Sequence, residues 1–234
     1  MTPGLLPALW LGFVFGLQHA TDADHIVAIA TIVGRTRRFD AGALIGAFWG
    51  IGHTATIVTV GAAIILFNLA ITPAVGLTME LLVALMLMAL GVVRVARAVR
   101  DRRPPGPAER EPPARPGLRG ALREVGPAQA VRSMGIGLVH GLAGSAAVAL
   151  LVLSTVRGAW AGAAYLALFG LGTLAGMMVI TALLSLPFRA SVPALSRALA
   201  MGTGMLSFAF GLYLVVQIGF VDGLLLGHPV WTPR

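Results

Sequence analysis

The sequence predicts an all-α polytopic membrane protein whose six transmembrane helices form two inverted three-helix repeats. Three observations support this fold class. The chain of 234 residues is 57% hydrophobic and only 11% charged, with a mean hydropathy of +0.88, a composition typical of membrane proteins rather than of soluble domains. Several apolar segments are long enough to cross a bilayer, and short motifs recur about 120 residues apart.

The apolar segments each exceed the roughly 20 residues that a helix needs to cross about 30 Å of hydrocarbon. We place them at residues 4–34, 41–67, 77–99, 129–156, 159–187 and 197–221. They divide the chain into a first repeat, a linker, and a second repeat with a short external tail, at 1–99, 100–127 and 128–234. Because the linker is rich in Arg, Pro, Gly and Glu, it cannot bury a hydrophobic face, and we expect it to be flexible and cytoplasmic.

Arginine sets the expected orientation in the membrane. All 17 basic residues are Arg. Fifteen of them lie in or near the connections that follow the first, third and fifth segments, which leaves only Arg157 and Arg234 on the other side. Because positively charged loops stay in the cytoplasm, we expect both termini outside the bacterial cytoplasmic membrane. The first segment lacks a cationic leader region and a small-residue cleavage site, so we expect it to be a retained helix.

Matching motifs support the internal repeat. The motif at residues 16–19 recurs at 137–140, and the motif at 49–53 recurs at 169–173. Because each repeat contains three spans, the two copies must be inverted in the membrane. Inverted repeats are typical of secondary transporters, which bind their substrate near the bilayer midplane at the repeat interface.

The first segment contains an unusual group of ionisable side chains. His19, Asp22, Asp24 and His25 fall within seven positions of an otherwise apolar stretch. Each carboxylate near a bilayer centre costs roughly 2.5 to 3.5 kcal/mol on insertion scales, so these groups need partners or a water-filled path. Imidazole and carboxylate together are ligands for a divalent transition metal.

Helical geometry restricts how this group can act. At about 100° per residue, His19, Asp22 and His25 share a stripe about 120° wide, whereas Asp24 points to another side. Either Asp24 orients a His on a neighbouring helix, or the segment unwinds near Thr21 and gathers the four side chains around one ion. We favour the second arrangement. The structural alternative is a charge-neutral cluster that only holds helices together.

Two further histidines complete the candidate metal ligands. His53 follows a Gly-Ile-Gly stretch near the middle of the second segment and is the best additional candidate. His140 is the equivalent of His19 in the second repeat, and it either completes the site or caps the pathway. The candidate metal-binding set is therefore His19, Asp22, Asp24, His25, His53 and His140.

The sequence excludes several functional classes. It contains no Cys, which rules out disulfides, thiolate metal sites and iron–sulfur ligation. It has no nucleotide-binding loop, metalloprotease helix or nucleophile elbow, so we expect no catalytic residues, no resident cofactor and no enzyme activity. The high pI arises from Arg in the loops, and we expect no binding to nucleic acid.

The stretch from His19 to Ile26 resembles the His-x4-Asp-His signature of the nickel/cobalt transporter permeases, a family that includes urease-associated nickel importers. Residues 52–54 are similar to its Gly-His-Ser/Thr element, and residues 171–177 to a glycine-rich element of its later helices. Gln18 stands where that family usually has Arg, and many members have eight spans.

This resemblance implies uptake of Ni²⁺ or Co²⁺ as the transported substrate. It assigns functional positions to His19, Asp24, His25 and His53. It also implies soluble partners, either a metallochaperone or urease or hydrogenase assembly factors, in addition to the divalent metal ion and the lipid bilayer.

Two other functions fit part of the pattern. A membrane electron-transfer protein would pair His19, His53 and His140 on haem, but this leaves Asp22 and Asp24 unexplained. An intramembrane metal-dependent hydrolase would use one Asp as a general base, but the chain lacks any recognisable peptidase spacing. We therefore expect a secondary carrier of divalent metal ions.

Overall fold

The computed structural model describes residues 5–33, 36, 38–67, 71–100, 117–155, 158–189 and 193–231. Within these residues the chain is all helical, with seven α-helices followed by a π-helical turn at Gln217–Val221. The α-helices are α1 Leu5–His19, α2 Ala23–Val33, α3 Phe39–Phe67, α4 Pro73–Arg100, α5 Leu118–Thr155, α6 Ala159–Arg189 and α7 Pro193–Val216.

Among the described residues, four stretches are long and apolar enough to cross a membrane, one in each of α3, α4 and α6 and one that begins in α7. They cover Phe39–Ile64, Pro73–Arg100, Trp160–Phe188 and Leu195–Val221. Large apolar side chains such as Leu85, Val179 and Met205 lie exposed on these helices, as expected of a surface that faces lipid rather than water. Each stretch begins and ends within about four residues of a predicted span, because continuous apolar length is the signal that defines both.

The first predicted span, 4–34, consists of two helices rather than one. α1 ends at His19, residues 20–22 form a turn, and α2 begins at Ala23. The backbone N–H and the hydroxyl of Thr21 both donate to the carbonyl of Gln18, at 2.8 and 2.6 Å. A Thr hydroxyl that binds the local backbone competes with the helical pattern. The segment is thus unwound near Thr21, and this break in the helix was favoured from the sequence.

A helix begins inside the predicted linker. Residues 118–125 are helical, although the sequence predicts a flexible linker to residue 127. Ala121 and Val125 are buried in the main hydrophobic cluster, which also contains side chains of α2, α3 and α6. This short stretch therefore has an apolar face. Gly126 then leaves the helical conformation at φ 64° and ψ 164°, and Pro127 begins the next helical stretch. The rest of the predicted linker, residues 101–116, lies outside the described residues.

A polar network ties the start of α3 to the start of α5. Two nitrogens of the Arg38 guanidinium, Nε and Nη2, donate to the carboxylate of Asp40. Oδ2 of Asp40 also accepts from the backbone N–H of Gly117 at 3.0 Å. Arg38 Nε lies 3.7 Å from a carboxylate oxygen of Glu124. These contacts fix two helices that each supply a histidine to the site described below.

Helices from the two halves of the chain pack against each other at glycine contacts. α3 packs against α5 and α6, α1 against α6, and α4 against α7. Gly16 of α1 lies against the backbone of Phe169 in α6, and Gly137 of α5 lies against the backbone of Trp49 in α3. The second contact repeats the first after a shift of about 120 residues with the helices exchanged. A side chain at either glycine would collide with the facing backbone.

The C-terminal tail folds back onto the N-terminal end of α4. The indole N–H of Trp231 donates to a carboxylate oxygen of Glu80 at 2.8 Å, and the indole ring lies against Gly76. The N–H of Val230 donates to the carbonyl of Asp222 at 2.9 Å. Glu80 therefore anchors the tail.

Candidate metal centre

Five of the six candidate ligands meet at the break in the first segment. His19 ends α1, Asp24 and His25 begin α2, His53 lies in α3, and His140 lies in α5. Because the turn at residues 20–22 redirects the chain, side chains that would diverge on one continuous helix converge here. His53 comes from the first half of the chain and His140 from the second half.

His19 and His53 lie side by side. Their Nε2 atoms are 3.2 Å apart, about the separation expected of two adjacent nitrogen ligands that each lie about 2.1 Å from one ion. The other ring nitrogen of His19, Nδ1, donates to Oδ2 of Asp22 at 2.7 Å. A carboxylate in this position fixes the tautomer and the orientation of a metal-binding imidazole. Asp22 therefore leaves the lone pair of His19 on Nε2.

Asp24 connects the two halves of the chain. Its Oδ1 accepts from Nδ1 of His25 at 2.9 Å, and its Oδ2 accepts from Nε2 of His140 at 2.9 Å. The carboxylate thus orients an imidazole on a neighbouring helix, which was the other arrangement considered from the sequence. The break and the orienting carboxylate occur together.

His25 lies at the centre of the site. Its ring centroid is 4.6 Å from that of His19, 5.0 Å from that of His53 and 4.4 Å from that of His140. The possible ligand atoms form two groups of three, in each of which all atoms lie within 4.8 Å of one another. One group is His19, His25 and His53, and the other is Asp24, His25 and His140. Nitrogen and oxygen donors of this kind fit a divalent transition metal.

The histidines are more deeply buried than the carboxylates. His25, His53 and His140 are at most 2% exposed, whereas the side chains of Asp24 and Asp22 are 26% and 47% exposed. Within the part of the chain that the structure describes, Nε2 of His25, Nδ1 of His53 and Nδ1 of His140 are buried without a hydrogen-bond partner. Buried polar atoms are normally paired, so this donor set is suited to a further ligand.

Trp49 is a candidate functional residue that was not predicted from the sequence. Its ring stacks on His53, with centroids 4.9 Å and planes 13° apart. Its centroid also lies 5.2 Å from those of both His25 and His140, so this fully buried indole forms a wall of the site. The four-residue spacing between Trp49 and His53 places them on one helix face. This spacing was the sequence signal from which Trp49 could have been predicted as a neighbour of His53.

Known proteins include a relative that spans nearly all of this chain. The urease accessory protein UreH of Bacillus sp. (strain TB-90) is 35% identical over 222 residues, which cover 94% of this chain and 95% of that protein. The chain belongs to the UreH family. No family model matches it, and no solved structure matches it.

Two plant proteins are similar to this UreH-family chain over most of its length. They are the chloroplast proteins FOR GROWTH AND FERTILITY 1 and 2 of Arabidopsis thaliana, both 27% identical, over 225 and 231 residues. The matches cover 92% and 91% of this chain but only 60% and 57% of the plant proteins. The UreH-family chain therefore spans about three fifths of the length of these plant relatives.

The six candidate ligands in this UreH-family chain do not all belong to the groups of possible ligand atoms. Five of them form the two groups of three, whereas Asp22 binds His19 Nδ1 and belongs to neither group. The fifth histidine of the sequence, His228, is exposed in the C-terminal tail and is a member of neither group among the described residues.

Proposed function

We propose that this UreH-family chain is a secondary transporter that carries Ni²⁺ and/or Co²⁺ into the cell across the bacterial cytoplasmic membrane. One observation carries the proposal: His19, His25 and His53 bring three possible ligand atoms within 4.8 Å of one another, among helices apolar enough to cross a bilayer. Ionisable side chains within membrane-spanning segments are costly to insert, which favours a functional reason for three imidazoles in this place. The metal ion is the transported substrate, so the site needs no resident cofactor and no catalytic residue.

The donor set favours a borderline transition metal. Imidazole nitrogen and carboxylate oxygen suit Ni²⁺, Co²⁺ and Zn²⁺, whereas soft thiolate donors would favour Cu⁺. The chain contains no Cys. The resemblance to nickel/cobalt permeases supports Ni²⁺ or Co²⁺, and the urease accessory name of the Bacillus relative favours nickel between the two. We accordingly propose that a soluble metallochaperone or urease assembly factors receive the ion.

Two inverted repeats of three spans are the architecture we propose. The reciprocal contacts of Gly16 with Phe169 and of Gly137 with Trp49 support it. In such a pair of repeats, a contact between the first and fifth spans implies a matching contact between the fourth and second. The broken α1–α2 segment and the later part of α5 supply the two remaining spans. A discontinuous helix at the substrate site is a recurring feature of secondary transporters.

The membrane potential supplies the driving force for the proposed uptake. An inside-negative potential draws a cation into the cell whichever way the carrier is oriented. That potential contributes about 2.3 kcal/mol per charge per 100 mV, so a dication gains about twice as much. Uptake therefore needs no nucleotide hydrolysis.

Haem is the second candidate ligand, and the packing disfavours it. The imidazole rings lie in mutual contact, with the centroids of His53 and His140 6.0 Å apart and those of His19 and His53 5.3 Å apart. Two axial nitrogens on one iron stand about 4 Å apart with a flat macrocycle between them, whereas the Nε2 atoms of His19 and His53 are 3.2 Å apart. A bare ion fits this arrangement better.

Uptake of radioactive nickel and cobalt into cells tests the proposal. We expect His19→Ala, Asp24→Asn and His53→Ala to abolish uptake at matched membrane abundance, because each removes a donor or the carboxylate that orients two of them. His228→Ala makes the same chemical change at an exposed tail position and should leave uptake unchanged. Wild-type cells that accumulate no more metal than cells without the protein would disprove the transport function.

A further inference from the structure

We propose that the metal ion occupies two overlapping stations in turn, and that both stations share His25. The first station consists of His19, His25 and His53, and the second of Asp24, His25 and His140. This inference rests on the proposed function, since it concerns how the same site passes its substrate onward.

The first station is built by the first half of the chain. His19 comes from the end of α1, His25 from α2 and His53 from α3. Asp24 accepts a hydrogen bond from Nδ1 of His25, which leaves the lone pair of that imidazole on Nε2. Three nitrogen donors are therefore available together. Asp22, which is 47% exposed and binds His19, places this station near the surface of the chain.

The second station joins the two halves of the chain. Asp24 and His25 come from α2, whereas His140 comes from α5. The carboxylate of Asp24 already lies 2.9 Å from ring nitrogens of both histidines. To bind a metal ion through the nitrogens that face Asp24, both imidazoles must carry their protons on the opposite ring nitrogens. This rearrangement releases no proton overall. Those nitrogens, Nε2 of His25 and Nδ1 of His140, are the ones buried without a partner in the described part of the chain.

The geometry of His25 prevents simultaneous occupancy. Its ring is 4.4 to 5.0 Å from the three other imidazoles, so ions in the two stations would lie only a few ångströms apart. Two dications at that distance repel strongly inside a protein, and Asp24 is the one carboxylate among the ligands of the two groups. One ion therefore moves between stations by exchanging His19, His53 and Nε2 of His25 for Asp24, His140 and Nδ1 of His25. During this exchange Nδ1 of His25 gives up its proton and Nε2 takes one up, so that His25 binds one ion at a time through its single lone pair.

This arrangement links ion movement to the two repeats. The first station involves one repeat alone, but the second forms only while His140 of the second repeat faces Asp24. A relative movement of the repeats thus opens or closes the second station and leaves the first intact. Ion transfer and repeat movement become one event.

Equilibrium dialysis of the purified full-length chain with Ni²⁺ near pH 8, where imidazole is neutral, tests this proposal alongside cellular uptake. We expect the wild type to bind one ion per chain. His53→Ala and His140→Ala should each still bind one ion, with the Kd raised about twofold if the stations are equally favourable. His25→Ala should weaken binding at least about 100-fold. Uptake should be lost in all three variants.

Control variants separate local from global effects. His228→Ala should match the wild type in both measurements. His140→Gln keeps a donor for Asp24 and therefore the fold, but it removes the imidazole, and it should reproduce the binding and uptake of His140→Ala.

Three outcomes would overturn the two stations while leaving the proposed function in place. They are two ions bound per wild-type chain, complete loss of binding in His53→Ala or in His140→Ala, and normal uptake by His140→Gln. A wild type that neither binds nor transports nickel would overturn the proposed function itself, and the stations with it.

Discussion

Asp22 and Asp24 carry the same functional group two residues apart, and the turn between α1 and α2 gives them different roles. Asp22 is largely exposed and binds a single imidazole, that of His19. Asp24 is more buried and bridges His25 and His140 across the two halves of the chain. We infer that Asp22 positions a ligand from outside the site, whereas Asp24 is itself a ligand.

Replacing Asp22 with Asn tests that distinction. The amide cannot hold the proton of His19 on Nδ1 as a carboxylate does, so the imidazole loses its fixed orientation. We expect Ni²⁺ binding to weaken by about 10- to 100-fold without being lost, as is usual for a carboxylate that orients a metal ligand. Equilibrium dialysis measures the change, with Asp222→Asn in the C-terminal tail as the matched control. Unaltered affinity would mean that the contact between His19 and Asp22 does not influence the metal.

Individual residues show what the sequence could indicate. Four ionisable side chains within seven positions of an otherwise apolar stretch predicted a candidate site there, because carboxylates are costly to insert into a membrane. The atoms that meet could not be predicted, since the pairing of Asp24 with His140 joins residues 116 positions apart. Trp49 was missed for a related reason: a Trp in an apolar helix is normally a packing residue, and only its stacking on His53 indicates otherwise.

At the scale of elements, apolar length predicted the four long spans, and local chemistry located the break. The Thr21 side chain supplies the hydrogen bond to Gln18 at the turn, although the sequence left two arrangements open. The short helix at residues 118–125 was not expected, because Arg, Gly and Glu in that stretch conceal the four-residue spacing of Ala121 and Val125. Those two side chains are buried because they pack against the main hydrophobic cluster. Such long-range packing cannot be predicted from the local sequence pattern.

Glycine contacts between elements permit a matched test. A Cβ at Gly137 would collide with the backbone of Trp49 and approach that of His53, whereas a Cβ at Gly135 would meet nothing within 4 Å. We expect Gly137→Ala to destabilise the protein by about 1 to 3 kcal/mol, the usual cost of overpacking, and to weaken metal binding by displacing His53. Denaturation in detergent measures the first effect and dialysis the second.

Gly135→Ala is the control for that experiment. It lies on the same helix and makes the same chemical change, and Ala is favoured over Gly in a helix by about 1 kcal/mol. Stability should therefore stay the same or rise. Equal behaviour of the two variants would refute close helix approach as the purpose of Gly137.

For the whole molecule, the account requires an odd number of spans in each half and most of the positive charge on one side. The absence of Cys allows single cysteines to be introduced without removing any. Trp160, which is 90% exposed, and His228 should lie outside the cell, whereas Arg119 should lie in the cytoplasm.

Labelling with a membrane-impermeant maleimide tests this topology. Intact cells should label Trp160→Cys and His228→Cys, and only lysed cells should label Arg119→Cys. The reverse pattern would contradict the proposed orientation. Labelling of all three positions in intact cells would contradict the number of spans.

The central claim is that imidazole and carboxylate donors gathered at the break in the first segment replace the water shell of a nickel ion. X-ray absorption spectroscopy of Ni²⁺ bound to the purified chain tests this most directly. We predict only nitrogen and oxygen neighbours at about 2.1 Å, with the multiple-scattering signal of at least two imidazoles, and loss of that signal in His25→Ala. A spectrum of six water oxygens without imidazole scattering would contradict the account.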